Sequence, residues 1–208
     1  MGAKPPTCID PALADGLLTL ANHRTRSVDS ALASLLEAEL GRRGGRDPLT
    51  GALHVLALTQ GALFQREIAD WRGHPGDWRI GAVVADVFGL KKVNDHLGVA
   101  DGNGLLRRVA QVMRDLFPDA RVVRVHGDCF AALWVEGEVS EAMRTRLRAA
   151  QEGLTVALLD LVIERPHHWR VLGPVVYAEL ERAQTVQRLG KADAIQRRRI
   201  RMDGWLAP

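Results

Sequence analysis

Apolar positions along this chain follow two periods. Ile80-Gly81-Ala82-Val83-Val84-Ala85 is a short, unbroken apolar run rich in β-branched residues, which predicts a strand buried on both faces that leaves the core at Asp86. Arg121-Val122-Val123-Arg124-Val125 and the run from Cys129 to Val135 predict two strands of a hairpin, with a Gly-Asp tip inside His126-Gly127-Asp128. Gly153 to Ile163 predicts a long central strand. Elsewhere the apolar residues recur at three and four. Leu13, Leu17, Leu18 and Leu20 predict a first short helix, and Val28, Leu32, Leu35, Leu36 and Leu40 a second, capped by Ser27. Leu53 to Trp71 reads as an amphipathic helix with Leu56, Leu63, Phe64 and Ile68 as core candidates. Gly102 to Leu116, capped by Asp101, turns Leu105, Leu106, Val109, Val112, Met113 and Leu116 inward. Glu138 to Ala150 and Val175 to Leu189 complete the helices.

This order predicts an α+β fold: a central, mostly antiparallel sheet covered by helices, preceded by an N-terminal helical leader. Gly41-Arg42-Arg43-Gly44-Gly45-Arg46 reads as a flexible joint, so the expected division is a leader over 1–46, a domain over 47–190 and a basic tail over 191–208. A chain of 208 residues with 47% hydrophobic content can bury one good core. The net charge of +3 comes mostly from scattered arginines. Their densest cluster, Arg197-Arg198-Arg199-Ile200-Arg201, reads as a solvated helix end rather than a nucleic-acid contact. Two cysteines make no disulfide framework. With no charged-then-apolar leader and no apolar run of about 18 residues, a cytoplasmic protein without a membrane anchor is expected.

If the three strands around Asp86 and Asp128 are neighbours, those carboxylates converge. Hard oxygen donors of this kind suit Mg²⁺, which completes its octahedron with water and substrate phosphates. Between them, Asp86-Val87-Phe88-Gly89-Leu90-Lys91-Lys92-Val93-Asn94-Asp95 passes from strand to helix and leaves backbone N–H groups free where a polyphosphate can lie.

Four segments then carry a resemblance: Asp47-Pro48-Leu49-Thr50-Gly51, the run Asp86 to Asp95, Gly98 to Leu106, and Arg124-Val125-His126-Gly127-Asp128-Cys129-Phe130. Together they resemble the GGDEF domain of diguanylate cyclases, over about residues 47 to 190. The resemblance implies a palm-like fold and a homodimer in which each subunit presents one Mg²⁺-bound GTP, the two being joined into cyclic di-GMP. It places the metal on Asp86, Val87 and Asp128. It places the nucleotide against Asn94 and Asn103, which face the guanine edge, and against Phe88, Gly89, Lys91, Gly127 and Lys191.

The chain also departs from the family. Its signature is His126-Gly127-Asp128-Cys129-Phe130, so the first glycine is histidine and the catalytic glutamate is Cys129. Asn103 replaces an aspartate, Phe88 stands where many relatives have a second aspartate, and Leu90 where they have phenylalanine. The phosphate-binding lysine and arginine fall on Gln187 and Lys191, and the regulatory Arg-x-x-Asp falls on Phe117-Pro118-Asp119-Ala120, where it is missing. A glycine at the tip lets backbone approach a phosphate, and His126 adds a ring there. A positioned acid or base supplies about 10² to 10⁴ in rate, and a thiol with an ordinary pKa of about 8.5 does not replace it. No catalytic residue is therefore assigned, and a weakened or abolished cyclase is expected. Two readings result: a module acting through protein contacts that still binds GTP or another nucleotide with Mg²⁺, and a working cyclase with GTP or altered base choice. A softer metal on His126, Asp128 and Cys129 is a third.

Overall fold

The computed structural model describes residues 45–59, 63, 77–164, 169–190 and 194–201. The chain divides into two compact units, Met1–Gly45 and Arg46–Pro208, and the sheet with its helices belongs to the second. The leader helices, Phe64 and Ile68 lie outside the described residues.

The elements run β1 (Leu53–His54), α1 (Val55–Thr59), β2 (Trp78–Val87), α2 (Leu90–Leu97), α3 (Val99–Leu116), β3 (Arg121–His126), β4 (Cys129–Val135), α4 (Glu141–Ala150), β5 (Leu154–Glu164), α5 (Trp169–Arg188) and β6 (Gln196–Arg201). They build one six-stranded sheet in the order β1-β3-β4-β2-β5-β6. The β3-β4, β4-β2 and β2-β5 pairs are antiparallel, and the outer β1-β3 and β5-β6 pairs are parallel, so the sheet is mixed with an antiparallel centre. This is the α+β, palm-like arrangement expected.

β2 sits between β4 and β5 and is covered on both sides, which is why it reads as an unbroken apolar run. Its side chains still alternate in destination. Ile80, Ala82 and Val84 join Leu58, Leu172, Val176, Leu180 and Ala183 in the core layer beneath α5. Val83, Ala85 and Val87 join Leu106, Val109, Met113 and Leu147 beneath α3 and α4. Of the residues expected inward on α3, Leu106, Val109 and Met113 are buried, and Leu105, Val112 and Leu116 pack partly buried against the same layer.

Several boundaries differ from expectation. Leu53 and His54 are not helical but pair in parallel with Val123 and Arg124; two residues are too few to show a strand period. Asp101 does not cap α3. Gly98, at φ 99, ends α2 and begins α3 at once, and Asp101 lies in the first turn. Only glycine adopts such a backbone readily, so this junction needs no side-chain cap. α4 starts after Ser140, and α5 starts six residues earlier than expected, carrying Pro174 inside, where the ring removes a single helical hydrogen bond.

The largest difference is at the C-terminal end, where the arginine cluster expected as a solvated helix end forms the edge strand β6. Its arginines meet carboxylates of other elements: Arg198 to Glu179 at 3.2 Å, Arg199 to Asp77 at 2.7 Å and to Glu164 at 3.1 Å, and Arg201 to Glu164 at 3.6 Å. The strand pairs in parallel with β5, and Ile200 packs partly buried against the core. Charged edge strands also resist pairing with other chains.

Candidate functional site

The strand period that buries Ile80, Ala82 and Val84 beneath α5 brings Asp86 out on the same side, at the last turn of the apolar core. Asp86 is 7% exposed. Its backbone faces Cys129 across the β2-β4 pair. Val87 N–H donates to the Asp128 carbonyl at 3.0 Å, and Phe88 N–H to the Gly153 carbonyl at 2.8 Å, so the end of β2 is clamped between the hairpin tip and the start of β5.

α5 closes the site from above. Its apolar stripe of Leu172, Val176, Leu180 and Ala183 continues past the edge of the sheet as Glu181, Gln184 and Arg188. Gln184 is buried, and its amide nitrogen donates to Asp86 Oδ2. Its carbonyl oxygen lies 3.0 Å from Nε2 of His126, which is also 3.1 Å from Glu181 Oε1. The Gln184 contact places the His126 ring, and its Nδ1 lies 3.9 Å from Asp128 Oδ1. Arg188 Nη2 bonds Asp86 Oδ2 and stands 3.7 Å from Asp128 Oδ1. Burial works against the charge on Arg188, but its hydrogen bond to Asp86 and the fields of Asp86 and Asp128 outweigh it and raise its pKa.

The structure therefore brings Asp86 and Asp128 together on one guanidinium. Glu181, Gln184 and Arg188 carry no motif that marks them in the sequence. The signal was there in principle, as polar residues at helical spacing that prolong an apolar stripe.

His126 costs the hairpin no backbone strain: Glu136 is the only non-glycine among the described residues with positive φ, and His126 ends β3, where the register shifts. Cys129 is 1% exposed. Burial, then the charges of Asp86, Glu181 and Asp128, push its thiol far above the usual range. A protonated thiol is neither a base nor a metal ligand. Among the described residues no group of three or more His, Cys, Asp or Glu side chains is placed to hold a metal ion, so the softer-metal reading of His126, Asp128 and Cys129 lacks donors.

The other candidate residues lie at the start of α2 and α3. Gly89 has φ 79 and precedes α2, whose first helical bond runs from Val93 N–H to the Gly89 carbonyl, so the N–H groups of residues 90–92 precede the helical ladder. Lys91 is exposed, and Phe88 is 72% exposed. Asn94 rests its side chain against Gly102, beside the half-buried Asn103. Gly127 is exposed at the tip, its carbonyl held by Arg124 at 2.6 Å. The Val87 side chain is buried in the α3 layer, so only its backbone faces the site. Lys191 lies outside the described residues. Phe117, where the regulatory arginine would fall, is buried and stacks on Trp134 with ring centroids 5.8 Å apart.

Asp86 and Asp128 offer oxygen donors of the type Mg²⁺ takes. The Arg188 guanidinium already bonds one and approaches the other, so the donor set does not fit a divalent ion while Arg188 holds this position.

The fold is thus a mixed sheet with an antiparallel centre, whose central strand ends in a carboxylate beside a hairpin tip. The chain belongs to the GGDEF family: the family described as diguanylate cyclase, GGDEF domain, matches residues 55–194. It is thus a diguanylate cyclase-family domain of cyclic di-GMP signalling. No curated protein matches the chain. Among solved structures it is similar to the diguanylate cyclase SiaD of Pseudomonas aeruginosa in complex with its activator SiaC, at 17% identity and TM-score 0.55, covering 90% of this chain and 82% of that one. It is also similar to the coiled coil and GGDEF domain of DgcB from Caulobacter crescentus in complex with c-di-GMP, at 19% identity and TM-score 0.56, covering 90% and 98%. A third is the GGDEF domain of TpbB or YfiN from Pseudomonas aeruginosa, at 23% identity and TM-score 0.52, covering 74% and 93%. At these identities the likeness is one of fold. No helix among the described residues is long and apolar enough to cross a membrane.

Proposed function

We propose that this domain is a GGDEF module that does not turn over GTP and acts in the cytoplasm by binding a nucleotide or a protein partner. The observation that carries this reading is Cys129: the position of the family's glutamate holds a buried, protonated thiol directly across the sheet from Asp86. A group in that state takes no proton from a 3′-hydroxyl. The nucleotide would lie along the first turn of α2, with Gly89 and Lys91 at its phosphates, Gly127, Phe88 and Lys191 around it, and Asn94 and Asn103 toward its base. An asparagine presents donors and an acceptor, so Asn103 relaxes the demand for guanine that a carboxylate makes. Mg²⁺ would accompany the nucleotide on Asp86, the Val87 backbone and Asp128 only once Arg188 gives way. A second copy of this chain or an unrelated protein is the partner such a module would regulate.

The second reading, a working cyclase for GTP or another nucleotide, is favoured by one observation: Asp86 and Asp128 are retained at adjoining positions. Pure protein incubated with Mg²⁺ or Mn²⁺ and labelled nucleoside triphosphates separates the two. The expected result is no cyclic dinucleotide, together with binding of GTP, ATP or cyclic di-GMP by calorimetry. Cyclic dinucleotide made above trace rate, and lost in Asp128→Ala, overturns the proposal.

A further inference from the structure

Asp86 is nearly buried and needs a compensating charge where it stands. What surrounds it comes from α5 rather than from solvent. Gln184, 5% exposed, donates its amide to Asp86 Oδ2, and Arg188, one helical turn later, donates Nη2 to the same oxygen while standing 3.7 Å from Asp128 Oδ1. Two carboxylates thus share one cation, and that cation belongs to the chain. Its position is not accidental to the helix: Gln184 and Arg188 are i and i+4 on the stripe that packs α5 onto the sheet, so the packing of Leu180 and Ala183 delivers both over the end of β2. The Gln184 carbonyl oxygen lies 3.0 Å from His126 Nε2, which leaves the amide nitrogen toward Asp86. A guanidinium keeps its charge throughout the pH range in which proteins fold and offers several donors in a rigid plane. Arg188 is nevertheless half exposed, so it can swing into solvent without disturbing the core.

We propose that Arg188 is the resident cation of this site, an internal counter-ion that stands between Asp86 and Asp128 and excludes divalent metal. Metal entry must break the Arg188 contacts to both carboxylates and the Gln184 hydrogen bond, and must release the guanidinium to water. The affinity of the site for a divalent ion is lowered by that competition. This rests on the same pocket as the function proposed above, but its consequence concerns the metal alone.

The test titrates Mn²⁺, without nucleotide, into the full chain, reading free Mn²⁺ by electron paramagnetic resonance and stability by thermal melting. Wild-type protein is expected to bind Mn²⁺ weakly, with an unchanged melting temperature at millimolar Mn²⁺. Arg188→Met, which keeps the aliphatic stem and removes the charge, is expected to bind about ten-fold tighter or more, to melt lower without metal, and to recover on adding Mn²⁺ as a ligand-linked shift. Adding Asp86→Asn to that variant should remove the gain. The inference is overturned if Arg188→Met and Arg188→Gln bind Mn²⁺ no tighter than wild type. It is equally overturned by micromolar Mn²⁺ binding to wild type that Asp86→Asn abolishes, a result that needs no arginine variant to fold. Cyclase activity in the wild type would sink the proposed function and leave this inference standing, whereas an arginine variant with no gain in Mn²⁺ affinity does the reverse.

Discussion

Arg124 on β3 donates Nη1 to both carboxylate oxygens of Asp47, at 3.1 Å each, across 77 positions of sequence. Its Nε and Nη2 hold the Gly127 carbonyl at 3.1 and 2.6 Å, so one side chain ties the first turn of the domain to the hairpin tip beside Asp128. Asp47 also accepts from Thr50 N–H at 2.8 Å and Thr50 Oγ1 at 2.6 Å, and Gly51 at φ 69 lets the turn close. The Asp-Pro-Leu-Thr-Gly segment is therefore a clamp on the site's position.

That clamp makes stability depend on acid. Burial raises the Asp47 pKa, but the Thr50 hydrogen bonds and the Arg124 charge outweigh it, and the net shift is downward. A folded pKa below the unfolded one gives stability that is fully present above the unfolded value, about 3.9, and is lost as pH falls through the folded value. Urea midpoints measured from neutral pH downward should fall below about pH 4 in wild type and more shallowly in Asp47→Asn. Asp47→Ala should cost about 1 to 3 kcal/mol at neutral pH by leaving Thr50 and Arg124 without their acceptor.

Cys129 should be inert toward thiol reagents in the native protein. Its thiol is buried among the charges of Asp86, Glu181 and Asp128, so the thiolate that reacts is scarcely populated. Labelling with a chromogenic disulfide at mildly alkaline pH should be slow for Cys129 in buffer and complete in denaturing urea. Rapid stoichiometric modification of Cys129 in buffer, located by peptide mapping, would contradict this burial.

Gly81 lies at the centre of β2 where a methyl group has no room: a Cβ there would stand 2.8 Å from Val139 Cγ2 and 3.0 Å from the Gly137 carbonyl. Gly81→Ala should destabilise by about 1 to 3 kcal/mol through overpacking, seen as a lower urea midpoint at unchanged slope.

Gly102 tests the base-reading role given to Asn94. A Cβ on Gly102 would collide with Asn94 Oδ1. The end of Asn94 can rotate away, and alanine suits a helix, so Gly102→Ala should change stability little. It should nevertheless weaken guanine-nucleotide binding, by about the ten-fold that loss of one good hydrogen bond brings. GTP affinity equal to wild type in Gly102→Ala and in Asn94→Ala would show that Asn94 does not touch the base.

Local sequence was enough for the elements whose burial leaves a mark on it. β2 and β4 read as apolar runs because neighbouring strands and helices cover them, and the hairpin announced itself through its Gly-Asp tip. The same runs located Asp86 and Asp128 at strand ends. β1 is too short to show a period, and β6 is an arginine-rich run that pairs with β5 and meets Glu179, Glu164 and Asp77 only in the folded chain, so neither left a local signature. The site divides in the same way. Residue identity alone put Cys129 where the family has a glutamate and His126 where it has a glycine, and those two differences are read from sequence without any structure. Only the packing of α5 on the sheet decided what fills the pocket. Arg188 and Gln184 lie about a hundred positions from Asp86, and no spacing rule spans that distance; the helix stripe that buries Leu180 and Ala183 carries them there.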